Sequence, residues 1–261
     1  KNDYKIAIKN NKFSSKIIYK KSEIEKDTNL TFKKFKTLKH KLLIERIIQE
    51  SKNLENFAKV TSGFGGKSEL MTDKRVSKSQ IEVVKGTSIR RFVIKRKYFF
   101  DLKDENITGR TRDIKKLELK KKIYIRKTGV PIISTYDDKG SVPEESLYFI
   151  YNLDKNLDPH YILGLFNSNL MTWFAINYLY TNLESMPQLK IADIYQFPII
   201  VASKSDQKII SDISKKILEN PEDSSNLNLL NDLNNKIFEI YKINKDEEKF
   251  INKEYNEKFS K

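Results

Sequence analysis

The 261-residue chain has no cysteine and only two histidines, His40 and His160. Disulfides, thiolate metal sites and a histidine-built metal centre are therefore excluded. No apolar run reaches the roughly 18 residues that a membrane-crossing helix needs, and the N-terminus has no signal-peptide core. A cytoplasmic protein without membrane contact is the expectation. The chain begins at Lys1, without Met, and reads as a piece cut from a longer protein.

What the chain has in excess is positive charge. The formal charge is +15, with 50 Lys and Arg against 35 Asp and Glu. Residues 1–150 hold 37 basic against 19 acidic residues, a surplus of +18, and residues 151–261 hold 13 against 16, or −3. Compositional bias towards Lys, Asn and Ile explains a high total but not this asymmetry. A basic half that follows a polyanion, joined to a near-neutral half, fits DNA or RNA binding.

Periodicity gives an α+β chain: an N-terminal basic, β-rich region followed by a C-terminal helical bundle. Residues 1–35 read as a connecting segment with a strand or two, for example at Tyr4-Lys5-Ile6-Ala7-Ile8. Residues 36–155 form the basic β-rich region. It opens on an amphipathic helix from about Lys36 to Leu54, carrying Leu42, Leu43, Ile47 and Ile48. Strands are expected at Ile89–Phe100, Lys122–Thr128, Val130–Tyr136 and Ser146–Tyr151, which are β-branched and aromatic between Gly and Pro punctuation. Residues 156–261 are helical, with helices at Pro159–Leu179, Ser205–Leu218 and Asn226–Tyr241 and a charged final helix or tail. Ile209, Ile210, Ile213 and Ile217 stripe the second, and Leu230, Leu233, Ile237 and Ile240 the third.

One stretch of the helical half is distinctive. Tyr161–Ile200 places Leu163, Gly164, Leu165, Phe166, Leu170, Trp173 and Phe174 at helical spacing, with Asn167-Ser168-Asn169 as a polar face. It then returns through Met186-Pro187-Gln188-Leu189-Lys190 to an extended Phe197-Pro198-Ile199. This order resembles the TaqI-like C-terminal specificity domain of restriction-modification methyltransferases, with its "GLLNSKL" helix and "P.L....L...P(I/L)P" exit. Val60-Thr61-Ser62-Gly63-Phe64-Gly65-Gly66-Lys67 is similar to the family's opening "i..Gi.tGk" loop, with a Gly-Gly pair at the second glycine. Val84–Phe92 resembles "l.kG.dI.ry", with Ser88 in place of the usual Asp. Lys122–Thr128, Ser141–Ile150 and Leu230–Glu248 resemble the later strand and closing-helix motifs. The resemblance spans residues 55–251.

The resemblance implies a double-stranded DNA target-recognition domain of a type IIG-like enzyme. It also implies an adenine-N6 methyltransferase domain upstream in the same chain, using S-adenosylmethionine, with or without an Mg²⁺-dependent endonuclease. This chain itself has no (D/N/S)PP(Y/F/W) motif and no glycine-rich turn after a strand, so no cofactor is expected on it. Gly63, Gly65, Gly66 and Lys67 are candidates for a phosphate-holding loop, in which backbone N–H groups approach the anion; a flexible connection is the plainer reading. Arg90, Arg91, Lys95, Arg96 and Lys97 lie on or beside a strand, so alternate side chains face opposite ways. Arg110 and Arg112, in the Gly-flanked loop Thr108–Asp113, are candidates for base reading because Arg pairs bidentately with guanine. Arg126, Lys127 and Lys139 could also touch DNA. Asp137 and Asp138 either accept from cytosine or cap their turn, Trp173 and Phe174 read as core, and His160 reads as a helix-start residue.

Three alternatives accompany this reading. Half of a type I specificity subunit would need a second recognition domain, and no internal repeat is seen. An RNA-binding module predicts aromatics exposed on the sheet. A stand-alone nuclease would use Asp104, Glu118 and Lys120.

Overall fold

The computed structural model describes residues 35–180, 183 and 186–259, together with the backbone of two strands at 5–9 and 16–20. Those two, β1 (Lys5–Lys9) and β2 (Lys16–Lys20), pair antiparallel with Lys5 opposite Lys20. The rest of the expected connecting segment, and part of the polar loop near residues 180–186, lie outside the described residues.

Helix α1 (Leu38–Gln49) starts where Thr37 accepts the His40 N–H at its N-cap. It buries Leu43, Ile44 and Ile47, while Leu42, expected on that face, is 57% exposed. Short strands follow: β3 (Lys52–Asn53), β4 (Lys59–Ser62), β5 (Phe64–Gly66), β6 (Ile81–Val84), β7 (Ile89–Arg90), β8 (Val93–Ile94), β9 (Tyr98–Phe100) and β10 (Ile107–Arg110). After the single-turn helix α2 (Ile114–Leu117) come β11 (Lys122–Arg126), β12 (Ser134–Asp137), β13 (Val142–Pro143) and β14 (Leu147–Tyr151). The helical half holds α3 (Pro159–Phe166), α4 (Asn169–Phe174) running into a π-turn, α5 (Ile191–Tyr195), strand β15 (Pro198–Ile199), α6 (Lys204–Glu219), α7 (Asn226–Ile240) and α8 (Lys245–Phe259). The α+β class expected from periodicity is the class observed.

The central element is a four-stranded antiparallel sheet in the order β12-β11-β14-β4. Successive side chains of a strand point to opposite faces, and here both faces are covered. Ile123, Ile125, Tyr148, Ile150 and Val60 join α1, α3 and α4 in the larger core. Tyr124, Leu147 and Phe149 join Phe64, Val83, Val84 and Phe100 in a second core, under the small sheet β13-β6-β9 and the β5–β10 pair. The near-continuous apolar runs of β11 and β14 follow from this burial on two sides. The larger core runs across residue 155, so strands and helices on either side of it share one interior.

Two elements differ from the sequence expectation. Ile89–Phe100 is not one strand: β7 and β8 form a hairpin with Ile89 opposite Ile94, and Arg91 and Phe92 make its turn, Phe92 at φ 63°. Pro159–Leu179 is not one helix. Asn167 ends α3, and the Ser168 hydroxyl caps α4 by accepting the Met171 N–H at 3.1 Å. The buried Asn167 amide accepts the Ser134 N–H at 3.1 Å and donates to the Ser134 carbonyl at 3.0 Å, standing in for a neighbouring strand on β12. Ile209 of α6 is 45% exposed, and Gln207, Ser211 and Ser214 are buried instead.

Asp158 caps α3, accepting the His160 N–H at 2.7 Å ahead of Pro159, which makes His160 a helix-start residue as expected. Trp173 and Phe174 are core, and Trp173 Nε1 donates to Glu254 at 2.7 Å.

Candidate nucleic-acid interface

The basic cluster at 90–97 divides. Because Arg91 occupies a hairpin turn rather than a strand position, its guanidinium swings towards the helices. There it donates to the Asn167 carbonyl and, at 3.3 Å, to the Tyr255 hydroxyl. Burial lowers its pKa below the ordinary arginine range. This corrects its placement among DNA-facing residues: Arg91 ties the hairpin to α3 and α8. Arg90 remains exposed and braces its own turn through the Thr87 and Ile89 carbonyls at 3.2 and 3.0 Å. Lys95 pairs with Glu222, Arg96 with Asp73 and Lys97 with Glu82.

The glycine run is also not an open loop. A Cβ on Gly63 would lie 2.2 Å from the Pro143 carbonyl oxygen, and one on Gly66 would lie 2.6 Å from the Phe64 ring. Gly63 and Gly65 are buried. These glycines let β4 and β5 pass against β10 and the segment before β14, a close backbone approach that no side chain would permit. Only Lys67 of that candidate loop is exposed. Gly86 is crowded in the same way by Ser146. Ser88, standing where the family motif has Asp, accepts the Lys85 N–H at 3.0 Å, which preserves the turn.

One end of the four-stranded sheet does gather charge. Arg126 closes β11, and Lys127 follows with its ammonium 5.8 Å from the Tyr148 ring centre. Arg110, at φ 65°, brings its guanidinium to 3.2 Å from Glu145, just before β14, and acts on the Tyr148 phenol. Burial outweighs that cation and raises the Tyr148 pKa. The Pro187–Leu189 return is fastened to the same end. Gly129 donates to the Pro187 carbonyl at 2.8 Å and Leu189 to the Lys127 carbonyl at 3.0 Å. Arg112 is turned back to the Ile107 carbonyl at 3.1 Å, with Asp104 at 4.0 Å.

Lys139 is not part of this group. It sits in the turn after β12, and since Lys122 pairs with Asp137, that turn lies at the far end of β11, about 13 Å from Arg126 at the strand rise per residue. Asp137 caps the turn by accepting the Lys139 and Gly140 N–H groups at 3.3 and 3.1 Å. The turn role expected for Asp137 is the one observed.

A second exposed basic stretch, Lys74, Arg75 and Lys78, was overlooked at the sequence level although Lys74-Arg75-Val76-Ser77-Lys78 is legible there. It stands beside Arg96, through Asp73. Exposed ion pairs such as Arg110–Glu145 contribute about 0 to 1 kcal/mol, so an incoming phosphate or base edge can displace them at small cost.

No three His, Asp or Glu side chains among the described residues converge as metal ligands. Asp104 is turned to Arg112, and Glu118 ends α2 beside Lys122. The glycine run is crowded by the Phe64 and Phe100 rings and the Pro143–Glu144 backbone. No helix among the described residues is long and apolar enough to cross a membrane.

Residues 81–199, which carry β6 to β15 and most of these cations, match the family model of the TaqI-like C-terminal specificity domain. Over those residues, fewer than half of its length, the chain is similar to that domain. Among solved structures, the type IIL restriction-modification enzyme MmeI, determined in complex with DNA, is similar with a TM-score of 0.58 and 14% identity, over 80% of this chain and 37% of that one. The type IIG restriction endonuclease BpuSI is similar with a TM-score of 0.51 and 8% identity, over 89% of this chain and 37% of that one. At such identities the likeness is one of fold, and the chain spans little more than a third of either enzyme. No curated protein matches it.

Proposed function

We propose that this chain selects a double-stranded DNA sequence for a restriction-modification enzyme, and that the chemistry belongs to a methyltransferase domain elsewhere in the same protein. The observation that carries this reading is the coincidence of the specificity-domain match at residues 81–199 with Arg110, Arg126 and Lys127 at one end of a sheet whose faces are both buried. With its faces covered, the sheet can offer DNA only its ends and loops. Arg110 reads a guanine edge, for which its bidentate fork is suited. Lys127, Arg126 and Lys67 hold phosphates and set the register. The helical half docks on the remainder of the enzyme. A methyltransferase acting on adenine would take its target base out of the stack, while this chain keeps the duplex in place. S-adenosylmethionine, and Mg²⁺ if a nuclease is fused, would bind outside this chain.

Binding to single-stranded RNA by base stacking is disfavoured. Tyr124 and Phe149 on the sheet are fully buried, and none of the exposed large apolar side chains among the described residues is aromatic.

The test is selection from a randomised duplex pool followed by salt titration. Recovery of a motif is expected. Arg110→Ala should relax one position by about 1 to 3 kcal/mol. Lys127→Ala should weaken all duplexes alike and lower the salt slope by about one. Equal binding to every duplex would overturn the reading and leave only a phosphate-binding surface.

A further inference from the structure

Between β5 and β6 the chain makes a loop, residues 71–80, into which the Thr72 and Gln80 side chains turn. Its stem is closed by the Thr72–Phe99 pair, N–H to carbonyl at 3.0 and 2.8 Å in the two directions. Gln80 is buried and fills the loop from below. Its Oε1 accepts the Val76 N–H at 2.8 Å and the Ser77 N–H at 3.4 Å, and its Nε2 donates to the Thr72 hydroxyl at 3.2 Å. The Thr72 hydroxyl passes on to the Lys74 carbonyl at 2.8 Å. The outward face carries Lys74, Arg75, Val76 and Lys78, together with Asp73, whose carboxylate is paired with Arg96.

Val76 is 74% exposed, and it is the residue whose own N–H the buried amide holds. A single exposed apolar side chain is ordinary on a protein surface. This one is different in being stiff at χ1, fixed at the backbone by a buried side chain, and set among three cations. Arg75 lies over the Phe99 ring at 5.3 Å, so the cation is anchored as well.

Resting on the duplex-recognition reading above, we propose that this loop enters the major groove, that Val76 contacts a thymine C5-methyl group, and that Gln80 is the positioning residue. Lys74 and Lys78 meet the flanking phosphates. The major groove is where the thymine methyl is displayed, and an aliphatic side chain recognises it by contact alone.

The full chain is bound to its selected duplex, in which each thymine in turn is replaced by deoxyuridine, removing one methyl group and nothing else. At one position the replacement should weaken the native protein about four-fold, the worth of one buried methyl, and should leave Val76→Ala unchanged. Val76→Ala should keep the native salt slope. Gln80→Ala should lower the ratio of selected to scrambled binding with scrambled binding unaltered. Should Gln80→Ala also lower the melting temperature sharply, Gln80→Glu, which keeps an acceptor for the Val76 N–H, should recover most of that ratio. A selected motif in which no deoxyuridine distinguishes the native protein from Val76→Ala overturns the proposal while duplex recognition stands. If no motif is selected, both fall together.

Discussion

Lys122 begins β11 with no exposed surface. Its ammonium donates to the Leu117 carbonyl and, at 2.8 Å, to the Ser141 carbonyl, and lies 3.8 Å from Asp137. Asp137 in turn accepts the Tyr124 hydroxyl at 3.0 Å. Burial lowers the Lys122 pKa to about 8, more strongly than Asp137 and Glu118 raise it. In the unfolded chain a lysine keeps its proton to about pH 10.4. Between pH 8 and 10 the unfolded state therefore binds a proton that the folded state has released, and stability rises with pH. A fall from the ordinary lysine value to about 8 is worth about 3 kcal/mol in all, most of it gained by about pH 10. Above pH 10 the sign reverses, since burial holds the Tyr124 and Tyr241 phenols protonated after the unfolded chain has lost those protons. Denaturant titrations of the native protein and Lys122→Met across about pH 6 to 10 measure this. The stability difference should be level to about pH 7.5 and then move by about 2 to 3 kcal/mol in favour of the native protein. A difference that stays level through pH 10 would refute the argument that burial, not Asp137, dominates at Lys122.

Arg91→Ala leaves the Asn167 carbonyl and the Tyr255 hydroxyl without their donor; stability should fall by about 1 to 3 kcal/mol, with the salt slope of DNA binding unchanged. Had Arg91 faced the duplex, that slope would drop. Gly164 lies where α3 crosses α6, and a Cβ there would stand 2.6 Å from Ile210 and 2.9 Å from Ser214, whereas one on Gly109 would meet nothing within 4 Å. Gly164→Ala should cost about 1 to 3 kcal/mol through overpacking and Gly109→Ala close to none, as read by thermal unfolding.

Where local chemistry decides, the sequence was legible. Asp158-Pro159 starts α3, the β-branched run at 122–126 is a strand, and Trp173 is core. Legibility ended where the partner lies far along the chain. Arg91-Phe92 gives no turn signal, since the positive φ falls on Phe92 rather than on Gly or Asn. It is tolerated because the Phe92 ring enters the larger core and its N–H reaches the Ser134 carbonyl at 2.9 Å. Asn167-Ser168 looked like a polar helix face because the β12 backbone that satisfies Asn167 is some thirty residues away. Glycines spaced to admit a phosphate are spaced equally well to admit another backbone. Only the position of Pro143 and Glu144 opposite Gly63 separates the two uses. The direction taken by Arg91 required the helices to be placed first.

The specificity-domain match also stops short of the folded unit that contains it. The matched segment, residues 81–199, supplies three strands of the central sheet, but β4 precedes it and pairs along β14 from Tyr148–Ser62 to Tyr151–Lys59. The segment's last strand, β15, pairs with β3, which lies outside it. Val60 of β4 and Leu43, Ile44 and Ile47 of α1 close the larger core from before the segment, and Ile210, Leu233, Ile237 and Ile251 close it from after. These flanking elements contribute buried apolar surface to the same interior. Any apolar side chain of similar volume serves such a position within about 1.5 kcal/mol. The fold likeness to MmeI and BpuSI extends over 80% and 89% of the chain, well beyond the matched segment, at 14% and 8% identity. The frame is held by volume and pairing, which leaves the exposed side chains at its ends and loops outside both cores.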